Sequence, residues 1–261
     1  MPRFAANISL LYPEHALIDR ISAAARDGFA AVEVQSPYAV AAEDYRRALT
    51  DARVQAVLIN APSGDAAAGE AGYAALPGRV RDFEASIQRA LDYARTVGAP
   101  RIHVMAGRLG PEASPTDALE TYERNLAHAC DVLAPHGIEV LIEVINSRDM
   151  PGYFLNRLQQ GLDIVKRLAH PALALQFDFY HLQIIEGDLA KNFERAFEQV
   201  GHVQIAGVPA RNEPDTGEVA FPYLFALMDR LGYDGWVGCE YRPARSGPGG
   251  TSAGLGWLRR V

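Results

Sequence analysis

Apolar and polar positions along the chain follow two alternating rhythms. Short, β-branched apolar runs bounded by turn residues read as buried strands, and the stretches between them carry apolar residues three and four apart, as amphipathic helices do. Residues 4–10, 31–34, 54–60, 101–106, 140–146, 173–178, 202–206 and 236–240 give eight strand-like runs. Helical periodicity fills residues 16–27, 42–52, 79–98, a segment from Ser114 to about Leu133, then 155–169, 189–200, 221–231 and a short closing stretch. Leu17, Ile18, Ile21 and Ala25 share one face of the first helix, and Gly28 stops it. Ser114-Pro115-Thr116-Asp117 looks like a helix start, with a capping serine, a proline in the first turn and an acid three residues on. Strict alternation of strand and helix predicts a parallel sheet with helices outside. The 261 residues suit a closed (β/α)8 TIM barrel, which typically takes about 250. No linker, low-complexity tract or close repeat interrupts the pattern, so a single domain over residues 1–261 is expected.

Four of the strand-like runs contain a residue that does not belong in an apolar strand. Val140-Leu141-Ile142-Glu143-Val144 has one acid set into it, and a buried carboxylate is costly unless a cation or hydrogen bonds compensate it. Asp178, Gln204 and Glu240 sit at or near the ends of the next three runs, each about one βα unit further on. In a barrel the C-terminal ends of the strands converge on one mouth. Three carboxylates brought together there would repel strongly, and a divalent cation resolves the conflict. Four oxygen donors suit Mg²⁺ or Mn²⁺. A single acid at a strand end is more often a cap or a solvated loop residue, and Gln204 alone more often a core amide. It is the recurrence on successive strands that points to a site.

Composition narrows the chemistry. The net charge of −7 argues against a nucleic-acid surface and against an anionic membrane. Lysine occurs only at Lys166 and Lys191, so arginine carries nearly all the positive charge. Cys130 and Cys239 form no framework pattern and read as reduced thiols of a cytoplasmic protein. No apolar run approaches the roughly 18 residues of a membrane span, and no signal-peptide core precedes the first strand. No Gly-x-Gly-x-x-Gly follows that strand, so no nucleotide cofactor is expected.

Several blocks together resemble the hydroxypyruvate isomerase family of xylose-isomerase-like TIM barrels, which includes the 2-oxo-tetronate isomerases. They are Arg3-Phe4-Ala5-Ala6-Asn7, Gly64-Asp65 through Glu70, Leu76-Pro77-Gly78-Arg79, Ile142-Glu143, Pro151-Gly152-Tyr153, His202-Val203-Gln204-Ile205-Ala206, Glu213-Pro214 and Gly235 to Tyr241. The resemblance covers nearly the whole chain. It implies that Glu143, Asp178, Gln204 and Glu240 bind the metal and that Glu143 and Glu240 are the acid/base pair. Related sugar epimerases usually carry histidine where this chain has Gln204. The activity implied is isomerisation of a small hydroxy-keto acid through a metal-stabilised enediolate, hydroxypyruvate to tartronate semialdehyde first, 2-oxo-tetronate as the alternative. A ketose 3-epimerase, an endonuclease-like repair enzyme and a non-catalytic metabolite-binding barrel are further readings. Relatives associate, so a homo-oligomer is compatible.

Other residues fall near the expected mouth. His181, three residues past Asp178, suits a hydrogen-bond donor to a substrate oxygen, as in similar barrels. Asn60 and Glu70 flank the long loop after the third strand; they either stabilise that loop or touch substrate. Arg211 or Arg108 could clamp a carboxylate, against the default of a surface arginine. His103, inside a strand, reads as a core histidine.

Overall fold

The structure, a computed structural model, describes residues 1–259. Eight parallel strands close into a barrel in chain order: β1 (Arg3–Asn7), β2 (Ala31–Val34), β3 (Gln55–Asn60), β4 (Arg101–His103), β5 (Glu139–Glu143), β6 (Leu173–Asp178), β7 (Val200–Ile205) and β8 (Trp236–Cys239). β8 returns to β1 with Arg3 opposite Trp236 and Ala6 opposite Cys239. The helices lie outside: α1 (Asp19–Arg26), α2 (Ala42–Ala52), α3 (Val80–Val97), α4 (Pro115–Leu133), α5 (Leu158–Leu168), α6 (Phe179–Ile185), α7 (Leu189–Ala196), α8 (Phe221–Leu231) and α9 (Gly250–Gly254). The expected barrel is therefore present, with element ends shifted by a few residues.

Local chemistry explains the boundaries. Ser114 caps α4, its Oγ accepting from the Asp117 N–H at 3.3 Å. The expected fourth strand, 101–106, stops at His103; Val104 N–H still donates to Leu141 O on β5, and Met105 and Ala106 turn to meet the long loop after β3. Ala75 N–H donates to Ala106 O at 2.7 Å, and Gly72 bridges Ala106. The sequence pattern ends the strand at Asp178, as observed, but gives no helix where α6 forms. Asp178 ends the strand and at once caps the helix, its Oδ1 accepting from Tyr180 N–H at 2.7 Å.

Two cores result. The larger one lies between strands and helices and is lined by side chains such as Tyr45, Tyr122, Phe179 and Phe193. A smaller one fills the bottom of the barrel with Ala5, Ala31, Val57, Leu141 and Ala174. Above it the inward positions turn polar: Asn7, Glu33, His103, Glu143, Gln176 and His202 are all buried. Cys130 and Cys239 are buried free thiols. No helix among the described residues is long and apolar enough to cross a membrane.

Candidate active site

Period-two alternation along the strands builds the site. The register sets Glu143 beside Gln176, Asp178 beside Gln204, and Gln204 beside Gly238. Glu240 follows β8 directly. The four residues singled out by their spacing, with His181, are each no more than 5 % exposed. Glu143, Gln204, Glu240, His181, Arg211, Asn60 and Glu70 line one cavity of about 430 Å³ at the C-terminal mouth, and Asp178 lies just beneath it, reaching toward His181 and Arg211.

The carboxylates are not equivalent. Glu240 is braced on both oxygens: Oε2 accepts from Arg211 Nη2 at 3.0 Å, and Oε1 accepts from the Gln35 amide. Arg211 also approaches Asp178 Oδ2 at 3.9 Å and Asp149 Oδ2 at 3.8 Å, and stacks over the Tyr180 ring. Its backbone is left-handed (φ 56°), a conformation held by N–H donation to Gly207 O at 2.8 Å. Glu143 has no such cation. His103 Nε2 stands 3.6 Å from its Oε2 and His181 Nε2 3.8 Å from its Oε1. Burial, then the Glu240 and Asp178 charges, push the Glu143 carboxyl well above the usual range. Burial and Glu240 push Asp178 up to about 7, against the pull of Arg211. Glu240 is also raised, chiefly by burial, with Arg211 opposing it. Burial and neighbouring His202 lower His103 to about 3, so it is neutral.

His181 is fixed as a donor. The Asn146 backbone N–H donates to its Nδ1 at 3.3 Å, and a peptide N–H can only donate. The neutral ring therefore carries its hydrogen on Nε2, the nitrogen facing Glu143 and Asp178 (3.8 and 3.7 Å). Burial and the Arg211 charge hold its pKa well below the ordinary value, which keeps the ring neutral.

Glu33 was missed by the sequence reading, although it shows the same oddity of an acid in a short apolar strand. From β2 it reaches across the barrel to β7. Oε1 accepts from Asn7 Nδ2 (2.8 Å) and Gln204 Nε2 (2.7 Å), and Oε2 lies 2.6 Å from His202 Nε2. Gln176 Nε2 donates to the Gln204 oxygen at 2.6 Å. The Gln204 amide is thus held at both ends by protein groups. Gln35 and Asp149 also escaped notice, because polar residues in loops carry no periodic signal.

The long loop after β3 closes over one side. Glu70 accepts from Arg79 and, through Oε2, from Asp65 N–H at 2.7 Å. Its hydrogen bonds thus serve the loop while its side chain walls the cavity. Asn60 ends β3 at the rim, its carbonyl accepting from Tyr38 OH at 2.5 Å.

Residues 21–261 match the family described as xylose isomerase-like TIM barrel. The chain belongs to that family. It is 55 % identical to a 2-oxo-tetronate isomerase from Cupriavidus necator, over 99 % of this chain and 98 % of that one. It is 45 % identical to a putative human hydroxypyruvate isomerase, over 98 % and 94 %. A crystal structure described as an AP endonuclease, family 2, from Brucella melitensis superimposes with a TM-score of 0.96 at 42 % identity, covering 100 % and 99 %.

Whether this xylose isomerase-like barrel suits a divalent cation can be asked of its own atoms. Glu143 Oε1 and Asp178 Oδ2 are buried without a hydrogen-bond partner. Ligand atoms of Glu143, Asp178 and His181 lie within 4.8 Å of one another. The two free carboxylate oxygens fit a hard cation; the His181 Nε2–H fits a substrate oxygen instead. An expected outcome follows from the raised acids. Between pH ~4 and ~7 these carboxyls bind more protons in the folded chain than in the unfolded one, so their contribution to stability falls as pH rises through that window; His103 and His181, held neutral by burial, work in the opposite direction below about pH 6.5. In chelator the melting temperature should therefore drop from about pH 7, above the histidine range of the unfolded chain, to pH 8. Mn²⁺ or Mg²⁺ at about 100 times its Kd should restore on the order of 5–10 °C at pH 8 and less at pH 5. Equal shifts at both pH values would count against a cation between these carboxylates.

Proposed function

We propose that this isomerase moves a carbonyl between adjacent carbons of a short hydroxy-keto acid. The substrate we favour is 2-oxo-tetronate, converted from the 2-dehydro to the 3-dehydro form. The support for four carbons is the 55 % full-length identity to a protein of that name. Hydroxypyruvate to tartronate semialdehyde is the second reading, favoured by the 45 % identity to the human protein. The observation that carries the reaction type is the pair of buried glutamates, Glu143 and Glu240, lining one cavity in unequal surroundings.

In our reading Glu240, kept ionised by Arg211, removes the proton from the hydroxyl-bearing carbon. The electron pair becomes the C2–C3 double bond of an enediolate. His181 Nε2–H and the Arg211 guanidinium donate to the oxygen on which charge develops. Glu143 delivers a proton to the former carbonyl carbon, the hydroxyl proton of the neighbouring carbon passes to the oxyanion, and that neighbouring C–O becomes the new carbonyl. The two glutamates exchange protonation states and are reset by solvent. Glu143 and Asp178 would hold a divalent cation, with Glu240 and Gln204 completing the set; when bound, Mg²⁺ or Mn²⁺ supplies Lewis-acid polarisation of the carbonyl.

Epimerases among the solved structures share less than 25 % identity and speak for the fold alone. The net charge of −7 works against a polyanion of the kind an endonuclease would bind. Proton NMR in deuterated water, with both acids side by side, tests the reading. We expect turnover of the four-carbon acid to exceed that of the three-carbon one, with solvent deuterium entering the product. Turnover without deuterium would mean a hydride shift and would remove the two glutamates from their roles. Binding of both acids without turnover would make the barrel a metabolite carrier.

A further inference from the structure

An acid substrate sets the site an electrostatic problem. Its carboxylate enters a cavity that already faces Glu143, Glu240 and Asp149, with Asp178 beneath. The nearby cations are mostly committed. Arg211 holds Glu240 and approaches Asp178 and Asp149. Arg79 holds Glu70 and Asp82 and lies over the Tyr73 ring. The Arg242 side chain at the rim is exposed.

Arg108 is neither committed to a carboxylate nor fully exposed. It lines the cavity from the loop after β4 and is only half-exposed. Its Nε is buried without a hydrogen-bond partner, and among the described residues its guanidinium has no ion pair. Its backbone is braced on both sides. Arg108 bridges Tyr153, Leu109 N–H donates to Gly152 O at 2.9 Å, and Phe154 N–H donates to Gly107 O at 2.9 Å. The long loop after β3 forms a lid that packs close above: a Cβ on Gly69 would lie 3.8 Å from Arg108 Nη1, and one on Gly107 would lie 2.7 Å from the Gly72 carbonyl. A braced, partly desolvated guanidinium without a counter-ion, facing into a cavity of acids, is arranged to receive an anion from outside the chain.

We infer that Arg108 receives the substrate carboxylate beneath the lid, so that the reacting carbons lie toward Glu143 and Glu240 and acids are selected over neutral ketoses. This rests on the hydroxy-keto acid reading above. The test compares the wild type with Arg108→Leu and Arg108→Lys. Kinetics on the two acids is combined with calorimetric binding of glycerate, a three-carbon acid, and of dihydroxyacetone, a neutral three-carbon ketose. Arg108→Leu should raise KM and the glycerate Kd about 10–100-fold, with a smaller change in kcat. Arg108→Lys should recover part of the loss, and the dihydroxyacetone Kd should move less than threefold. A change under threefold for glycerate overturns the inference. So does an equal loss for glycerate and dihydroxyacetone, which would mean a structural role, and so does undetectable glycerate binding to the wild type. Glycerate binding does not depend on turnover. A wild type that binds glycerate through Arg108 yet turns over neither acid would instead refute the proposed function alone.

Discussion

Glu143→Gln should turn over its hydroxy-keto acid about 10²–10⁴-fold more slowly than the wild type, and Glu240→Gln should fall in the same range. The substitutions keep shape and remove the ability to carry a proton. They should differ in what survives. If Glu240 takes the first proton, Glu143→Gln still exchanges the substrate's carbon-bound hydrogen with deuterated water while forming little product. Glu240→Gln loses both exchange and product. Their stabilities should part as well. Glu143 is a buried acid without a cation, repelled by Glu240 and Asp178, so its amide variant melts no lower than the wild type in chelator at pH 8. Glu240→Gln strips Arg211 of its 3.0 Å partner and leaves a partly buried guanidinium less well paired, so it melts lower. Wild-type turnover in either variant would refute that residue's part in proton transfer.

What could be read in the sequence was what repeats. Eight βα units impose alternation on the whole chain, and acids that break an apolar run mark positions facing the barrel interior. Both signals are local, and both led to Glu143, Asp178 and Glu240. How the charges are shared out is not local. Arg211 sits on a loop with a left-handed backbone, and only closure of the barrel brings it between Glu240 and Asp178. Gln204 read as a ligand by its spacing, but the direction of its amide is set by Glu33 and Gln176 on other strands. Glu33 itself was legible in kind, an acid inside Ala31-Val32-Glu33-Val34, but its partners on β1 and β7 could not be seen from its own strand. His103, read as a core histidine, is buried and neutral and still lies 3.6 Å from Glu143.

The Glu33 network carries the largest expected effect on stability, and Gly238 exposes it. A Cβ on Gly238 would come within 2.5 Å of the Glu33 carboxyl carbon. Glu33 has nowhere to move, since Asn7, Gln204 and His202 hold both of its oxygens. Gly238→Ala must therefore break those bonds or push β8 away from β7, at a cost of about 3–5 kcal/mol, the range for disrupting a buried charged network. For a chain of this size that is on the order of 10 °C or more in Tm. Glu33→Ala should cost a similar amount, because the buried His202, Gln204 and Asn7 donors lose their acceptor. The two losses should not add. With Glu33 already truncated, the space that the Gly238→Ala methyl needs is open, and its further cost should shrink below about 1 kcal/mol. A double-mutant cycle by denaturant unfolding reads this coupling directly. Activity adds a second reading: Glu33→Ala unfastens the Gln204 amide, so kcat should fall even below the melting temperature. Additive losses would mean that Gly238 is glycine for some reason other than the Glu33 carboxylate.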